Sequence, residues 1–201
     1  MKSRYRAVFI DRDGVLIRDA HHLAAVSGLE IFKCAAPALK LLREAGFKIV
    51  IVTNQSGVAR GYFTMAAVRR IHAELKRRLA KQGARWDAIY VSPHGPDSKH
   101  SWRKPGTGML LAARRRFKLD LKASWMIGDK TSDVECARRA GCASILVRTG
   151  KAGRDKAYKA KPTAVRKDLL AAARWIAARP ATGCAREIGR ASCRERVSVL
   201  V

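Results

Sequence analysis

Several things are scarce in this chain, and each scarcity closes off a class of function. No apolar run approaches the ~20 residues that a membrane-spanning helix needs. The basic residues at the N-terminus lead through a short apolar run straight into Asp11, too short for a signal peptide, so a cytoplasmic location is expected. Cysteine is sparse and odd in number: Cys34, Cys136, Cys142, Cys184 and Cys193 show no C-x-x-C spacing. They read as reduced thiols, neither a disulfide framework nor a zinc knuckle. Aromatics make up 6% of the chain and do not interleave with the basic runs, which argues against a groove that stacks nucleic-acid bases. Acidic residues number 16 against 42 Lys and Arg, a net charge of +26. That excess fits nucleic-acid phosphates, a small and highly anionic substrate, or a solvated basic surface, and charge alone does not choose among them.

What is present is a globular chain. Apolar residues account for 48% of it, enough to bury a core, and the length suits one domain over residues 1–180. Residues 181–201 differ in character. Glu187 to Val197, EIGRASCRERV, resembles the translation of a sequencing adapter, and this tail is expected to be disordered and outside the fold. Its four Arg against two Glu leave +24 on the rest, so the charge still needs a reason.

The stretch AVFI at residues 7–10 runs into Asp11-Arg12-Asp13-Gly14. A continuous apolar run of this length suits a strand buried on both faces, as in a parallel sheet. Alternation along an extended chain puts Asp11 and Asp13 on one side, and two like charges held together need a cation or a shared proton. Residues 15–34 lack clean periodicity and read as an excursion beyond the strand end, carrying Asp19, His21 and His22. A helix follows on Ala38, Leu41, Leu42 and Ala45, stopped by Gly46. The second strand, Phe47 to Val52, ends in Thr53-Asn54-Gln55-Ser56-Gly57, suited to gripping phosphate or simply a polar turn. Thr64 is placed to cap a helix whose apolar stripe is Val68, Ile71, Leu75 and Leu79.

A third strand, Asp87 to Val91, leads to a polar loop and then Arg103-Lys104-Pro105-Gly106, where Lys104 on a short stiff segment suits a fixed cation for phosphate oxygens. After a helix from Met109 to Phe117, a fourth strand, Ser124 to Ile127, ends in Gly128-Asp129-Lys130-Thr131-Ser132-Asp133. Asp129 is placed to share a metal with Asp11, and Asp133 to orient its neighbours or to cap the helix over Val134 to Ala140. Ser144 to Val147 is a fifth strand, and Leu169, Ala173 and Ile176 mark a last helix. Right-handed strand–helix–strand crossovers make the strands parallel and bring the polar clusters to one sheet edge. A carboxylate nucleophile, a second carboxylate, a hydroxyl, a fixed lysine and metal-binding acids together suit phosphoryl transfer through an aspartyl-phosphate.

DRDGVL, TNQSG, RKP and GDKTSD, in that order and spacing, resemble the motifs of the haloacid dehalogenase superfamily of phosphatases. With TNQSGVARGYF, SPHGP and RKPGTGML, the chain over roughly residues 5–150 is similar to that superfamily's heptose bisphosphate 7-phosphatase and histidinol-phosphatase family. The resemblance implies an α/β, three-layer Rossmann-like sandwich with a central parallel sheet and no large cap domain. It implies that Asp11 attacks phosphorus and that Asp13 protonates the leaving group, then activates water. It implies Mg²⁺ on Asp11, Asp129 and the backbone carbonyl of Asp13. Thr53, Asn54 and Lys104 would hold the transferring phosphoryl group, and Asp19, Gln55, Ser56, Arg103 and Lys130 would line the substrate site, with Arg60 a further candidate for a second phosphate. The partner implied is a small anionic sugar phosphate met by a monomer, with no role for a membrane or nucleic acid.

The chain departs from that family at the flap formed by Ala20, His21 and His22, and in one further loop. A structural zinc is often held there on Cys-x-His and Cys-x-Cys pairs ahead of the R-K-P motif. The corresponding positions are Ser92, His94, His100 and Trp102, a poor donor set for a closed tetrahedral site, so structural zinc is not expected. Histidinol phosphate is the nearest alternative substrate. A nucleic-acid 3′-phosphatase and a non-catalytic basic binding module are the alternatives from other classes.

Overall fold

The computed structural model describes residues 5–179, so the tail reading lies outside the described residues. Six strands form one parallel sheet in the order β3-β2-β1-β4-β5-β6. They are β1 (Ala7–Ile10), β2 (Lys48–Asn54), β3 (Ala88–Ser92), β4 (Trp125–Gly128), β5 (Ala143–Val147) and β6 (Ala164–Arg166). Five helices cross between them: α1 (Ala35–Glu44), α2 (Met65–Ala80), α3 (Gly108–Phe117), α4 (Thr131–Ala140) and α5 (Leu169–Ala177).

The alternation of side chains along β1 sorts the core into two layers. Val8 and Ile10 join Ile49, Ile51, Leu39, Leu42, Ile71, Leu75 and Ile176 on the α1, α2 and α5 side. Ala7 and Phe9 join Val50, Val52, Met109, Leu110, Met126 and Cys136 on the α3 and α4 side. Both faces of the central strands are thereby covered, which is why their sequences run apolar without alternation. The α/β three-layer sandwich with a central parallel sheet is the observed architecture.

Several boundaries differ from the sequence-based ones for physical reasons. β2 continues through Thr53 and Asn54 because these residues pair with Val91 and Ser92 of β3. They are strand residues at the sheet edge, not loop residues beyond it. α4 begins at Thr131, a turn earlier than expected, which places Asp133 inside the first helical turn. In α1 the fully buried leucines are Leu39 and Leu42, while Leu41 is half-buried. β6 was not anticipated: three residues, Ala164 to Arg166, half-buried or exposed at the sheet's edge, carry no apolar run to mark them. Thr64 does cap α2, its side chain accepting from Ala67 N at 3.2 Å.

Strand order reverses between β1 and β4, the central pair. In open parallel sheets the crevice for a ligand opens beyond the carboxyl ends of the strands at such a reversal. Ile10 is in register with both Ile51 and Ile127, so the chain leaves β1, β2 and β4 at one level. Asp11 N donates to Ile127 O at 2.9 Å, carrying the pairing one residue past β1.

Candidate active site

Asp11 follows β1, and Asp129 follows β4 across the strand-order reversal. Asp133 comes in from the first turn of α4. One carboxylate oxygen from each lies within 4.8 Å of the others, and all three residues are buried. Into this group runs Lys104, whose Nζ is 2.7 Å from Asp11 Oδ1, 2.7 Å from Asp133 Oδ1 and 2.9 Å from Val52 O. The lysine is 4% exposed, so its ammonium can stay charged only because these acceptors surround it. Burial alone would lower its pKa, but Asp11 and Asp133 outweigh that and raise it. Lys104 is itself held by Asn54, which accepts from Lys104 N at 3.0 Å and donates to Lys104 O at 3.1 Å.

Three buried carboxylates against one buried ammonium leave negative charge in excess. Burial pushes the Asp11 carboxyl up, against the pull of Lys104 and with the help of Asp133. Burial also pushes Asp129 up, reinforced by Asp11 and Asp133. Asp129 Oδ1 is buried with no hydrogen-bond partner among the described residues. Its other oxygen accepts from Lys151 N at 2.6 Å. Two glycines leave room for this carboxylate: a Cβ on Gly14, where φ is +79°, would lie 2.5 Å from Asp129 Oδ2, and one on Gly150 would strike the same atom. A divalent cation with oxygen ligands fits the place. The donors are hard carboxylates, one buried oxygen lacks a partner, and repulsion among the acids would be relieved by a second positive charge.

Asp13 lies apart from this cluster. Arg12 Nη2 and Nε contact its two carboxylate oxygens at 2.8 and 3.1 Å, and Gln55 Nε2 donates to Asp13 Oδ2 at 2.9 Å. Thr53 Oγ1 lies at 3.4 Å from the same oxygen. Burial opposes the charge, but Arg12 and Gln55 outweigh it and hold the Asp13 carboxyl below its ordinary value.

The remaining sequence candidates fall into two groups. Ser56, Arg103 and Lys130 line a cavity of about 360 Å³ above Asp11, Asp13 and Lys104. Arg103 is steadied by a hydrogen bond from its Nη1 to His94 O at 3.0 Å. Asp19 and Gln55 line an adjoining cavity of about 170 Å³ that shares Asp13, Asn54, Ser56 and Lys130 with the first. Asp19 and Lys130 approach to 3.8 Å between them. Thr53, Asn54 and Gln55 direct their side chains at Asp13 and at the Lys104 backbone, bracing those groups. Arg60 lies outside the residues lining either cavity.

Asp133, expected to orient its neighbours or cap the helix, also joins the acid cluster because α4 starts early enough to aim it inward, and its Oδ2 accepts from Lys130 N at 3.1 Å. Sequence reasoning missed two further contributors. The segment after β5 brings Asp155, Ala157 and Tyr158 to the larger cavity and Lys151 to the smaller. Asp155 anchors this segment by accepting from Thr131 N at 3.0 Å. His72, on α2, meets Arg12, with Nε2 2.9 Å from Arg12 Nη1. Its place beside Ile71 on the apolar face was the available signal.

Ser92, His94, His100 and Trp102 do not make the donor set of a closed zinc site. Trp102 offers no lone pair, and no thiolate is present. The His94 and His100 rings stack with centroids 3.8 Å apart, His100 Nδ1 accepts from Trp102 N at 3.2 Å, and Trp102 packs edge-on against Tyr90.

Comparison with known proteins shows the family. Residues 101–172 match the family model described as HAD-hydrolase-like. A D-glycero-D-manno-heptose-1,7-bisphosphate 7-phosphatase from Thermosynechococcus vestitus is 39% identical, over 85% of this chain and 94% of the relative. A D-glycero-beta-D-manno-heptose-1,7-bisphosphate 7-phosphatase from Pseudomonas putida is 37% identical, over 85% and 99%. Among solved structures, the D,D-heptose 1,7-bisphosphate phosphatase of B. bronchiseptica, complexed with magnesium and phosphate, superposes with a TM-score of 0.79 at 35% identity, covering 85% of this chain and 97% of that one.

Proposed function

The chain belongs to the haloacid dehalogenase-like phosphatases and is a phosphoric monoester hydrolase, and from that premise we propose that it removes the 7-phosphate of D-glycero-D-manno-heptose 1,7-bisphosphate through an aspartyl-phosphate. The observation that carries the reading is the separation of two neighbouring carboxylates into two environments. Asp11 sits with Asp129, Asp133 and Lys104, and Asp13 sits apart, tied to Arg12 and Gln55.

In the first step an Asp11 oxygen forms a bond to phosphorus while the bond from phosphorus to the sugar oxygen breaks. The departing oxygen takes its proton from Asp13. In the second step Asp13 takes a proton from water, whose oxygen attacks phosphorus and releases Asp11 with inorganic phosphate. Asp13 is ionised at rest, and an incoming phosphate dianion beside it raises its pKa, so it can arrive at the first step protonated. Lys104 holds Asp11 in place and offers positive charge to the phosphoryl oxygens. Asp11, Asp129, Asp133 and the backbone carbonyl of Asp13 would hold Mg²⁺, which supplies positive charge that offsets repulsion between the carboxylates and the phosphate.

A substrate with a second anionic group suits the surroundings, since Arg103, Lys130 and Lys151 line the two adjoining cavities. The scarcity of aromatics disfavours a nucleic-acid substrate. The test is kcat/KM for the heptose bisphosphate, histidinol phosphate and a 3′-phosphorylated oligonucleotide, each with Mg²⁺ and with EDTA. The heptose bisphosphate should lead, and EDTA should abolish turnover. A preference for either other substrate overturns the assignment of substrate.

A further inference from the structure

We infer that His72 is a positioning residue for the leaving-group proton transfer, acting through Arg12 on Asp13; this rests on the acid/base role proposed for Asp13. Arg12 is 1% exposed and His72 8% exposed, so the pair is buried between α2 and the exit of β1. A guanidinium has no acceptor. The 2.9 Å contact between Arg12 Nη1 and His72 Nε2 therefore runs from arginine to imidazole, with the ring neutral and its proton on Nδ1. Burial first, and the Arg12 charge second, hold the imidazole down to about 4, which keeps that acceptor available.

The geometry gives the histidine a definite task. Arg12 faces Asp13 with Nη2 and Nε, at 2.8 and 3.1 Å, and faces His72 with Nη1. A planar, rigid fork pinned at its third nitrogen can turn little about its own stem. The Asp13 carboxylate, gripped at both oxygens, is thereby oriented from a helix core two elements away. Without an acceptor at position 72, one buried guanidinium N–H loses its partner, and the fork is freed to seek another. Proton transfer to a leaving group depends steeply on such placement.

Leaving-group chemistry separates positioning from mere structural support. Phenyl phosphate and p-nitrophenyl phosphate have nearly the same shape, but the nitrophenolate departs without needing a proton. kcat/KM reports formation of the aspartyl-phosphate and excludes the later hydrolysis common to both. In full-length His72→Leu, kcat/KM for phenyl phosphate should fall ~10-fold or more, while that for p-nitrophenyl phosphate stays within about twofold. His72→Gln, whose amide oxygen can accept from Arg12, should restore phenyl phosphate turnover. Arg12→Lys keeps the charge but cannot span both partners, so it should show the same selective loss if the leucine variant does not fold. Equal loss on both substrates in a folded variant, or no loss on either, overturns the inference. Asp13→Asn is the reference. If it too lacks leaving-group selectivity, the acid/base reading of Asp13 fails; if it alone shows selectivity, only the role of His72 fails.

Discussion

Asp11 and Asp13 leave the same strand two residues apart, yet their surroundings oppose each other. Asp11 is 4% exposed, shares its pocket with two further carboxylates, and has its pKa raised by burial despite Lys104 at 2.7 Å. Asp13 faces a guanidinium and an amide donor and has its pKa lowered. Environment, and not residue type, divides the two roles: one carboxylate is made costly to ionise until a cation arrives, the other is kept ionised until an anion arrives. The first change that should break this contrast is Asp11→Asn. It removes the nucleophile while leaving Asp13 and its partners intact, so kcat should fall by ~10⁴ or more on every phosphomonoester, p-nitrophenyl phosphate included. Retention of even a tenth of the activity would mean that Asp11 is not the attacking group.

A second comparison lies between the cations that serve the two acids. Lys104 is enclosed and touches two carboxylates, whereas Arg12 serves one carboxylate and a neutral imidazole. Replacing Lys104 by Met leaves Asp11 and Asp133 buried without their counter-charge. In EDTA this should cost ~3–5 kcal/mol in urea unfolding, the usual cost of stripping one partner from a buried pair. Mg²⁺ should return part of that loss, because the freed carboxylates are its proposed ligands. Unaltered stability would place Lys104 outside the network the distances describe.

How much of this was legible beforehand depended on whether a feature left a periodic mark. The apolar runs of β1 and β2 and the stripe Val68, Ile71, Leu75, Leu79 were readable because burial on a strand or helix imposes a repeat. The order of strand-end clusters was readable because parallel connections send every strand's exit to one edge. β6 left no mark because an edge strand of three residues needs no apolar pattern. Asp11 and Asp13 were readable as carboxylates on one side, and both line one cavity, but the partners that distinguish them were not: Arg12, which sits between them in sequence, and Gln55 hold Asp13, while Lys104 holds Asp11. The bond from His72 to Arg12 spans 60 positions, a distance at which no local pattern carries information. Thr53, Asn54 and Gln55 were legible as polar residues at the right edge. Their direct partners proved to be Asp13 and the Lys104 backbone, because β2 extends to Asn54 and fixes where those side chains point.

The smallest effect, and the one that measures the acid cluster most directly, is the pH dependence of metal stabilisation. Burial raises Asp11 to about 6 against the pull of Lys104, and burial reinforced by Asp11 and Asp133 raises Asp129 to about 8. An acid raised in the folded state binds more protons folded than unfolded, so stability in EDTA should fall as pH climbs from the ordinary carboxylate value through this window. A divalent cation needs the ionised forms, so its binding strengthens over the same range. The Mg²⁺-induced stabilisation, read as a rise in Tm, should therefore be small at about pH 5 and largest above about pH 8, where its free energy approaches the ~2.7 kcal/mol that a ligand at a hundredfold excess over its Kd contributes. In Asp129→Asn that pH-dependent part should shrink, while the grip of Arg12 on Asp13 is untouched. A rise in Tm that is equal at all pH values, or unaffected by Asp129→Asn, would move the metal away from these acids and dissolve the contrast between the two strand-end carboxylates.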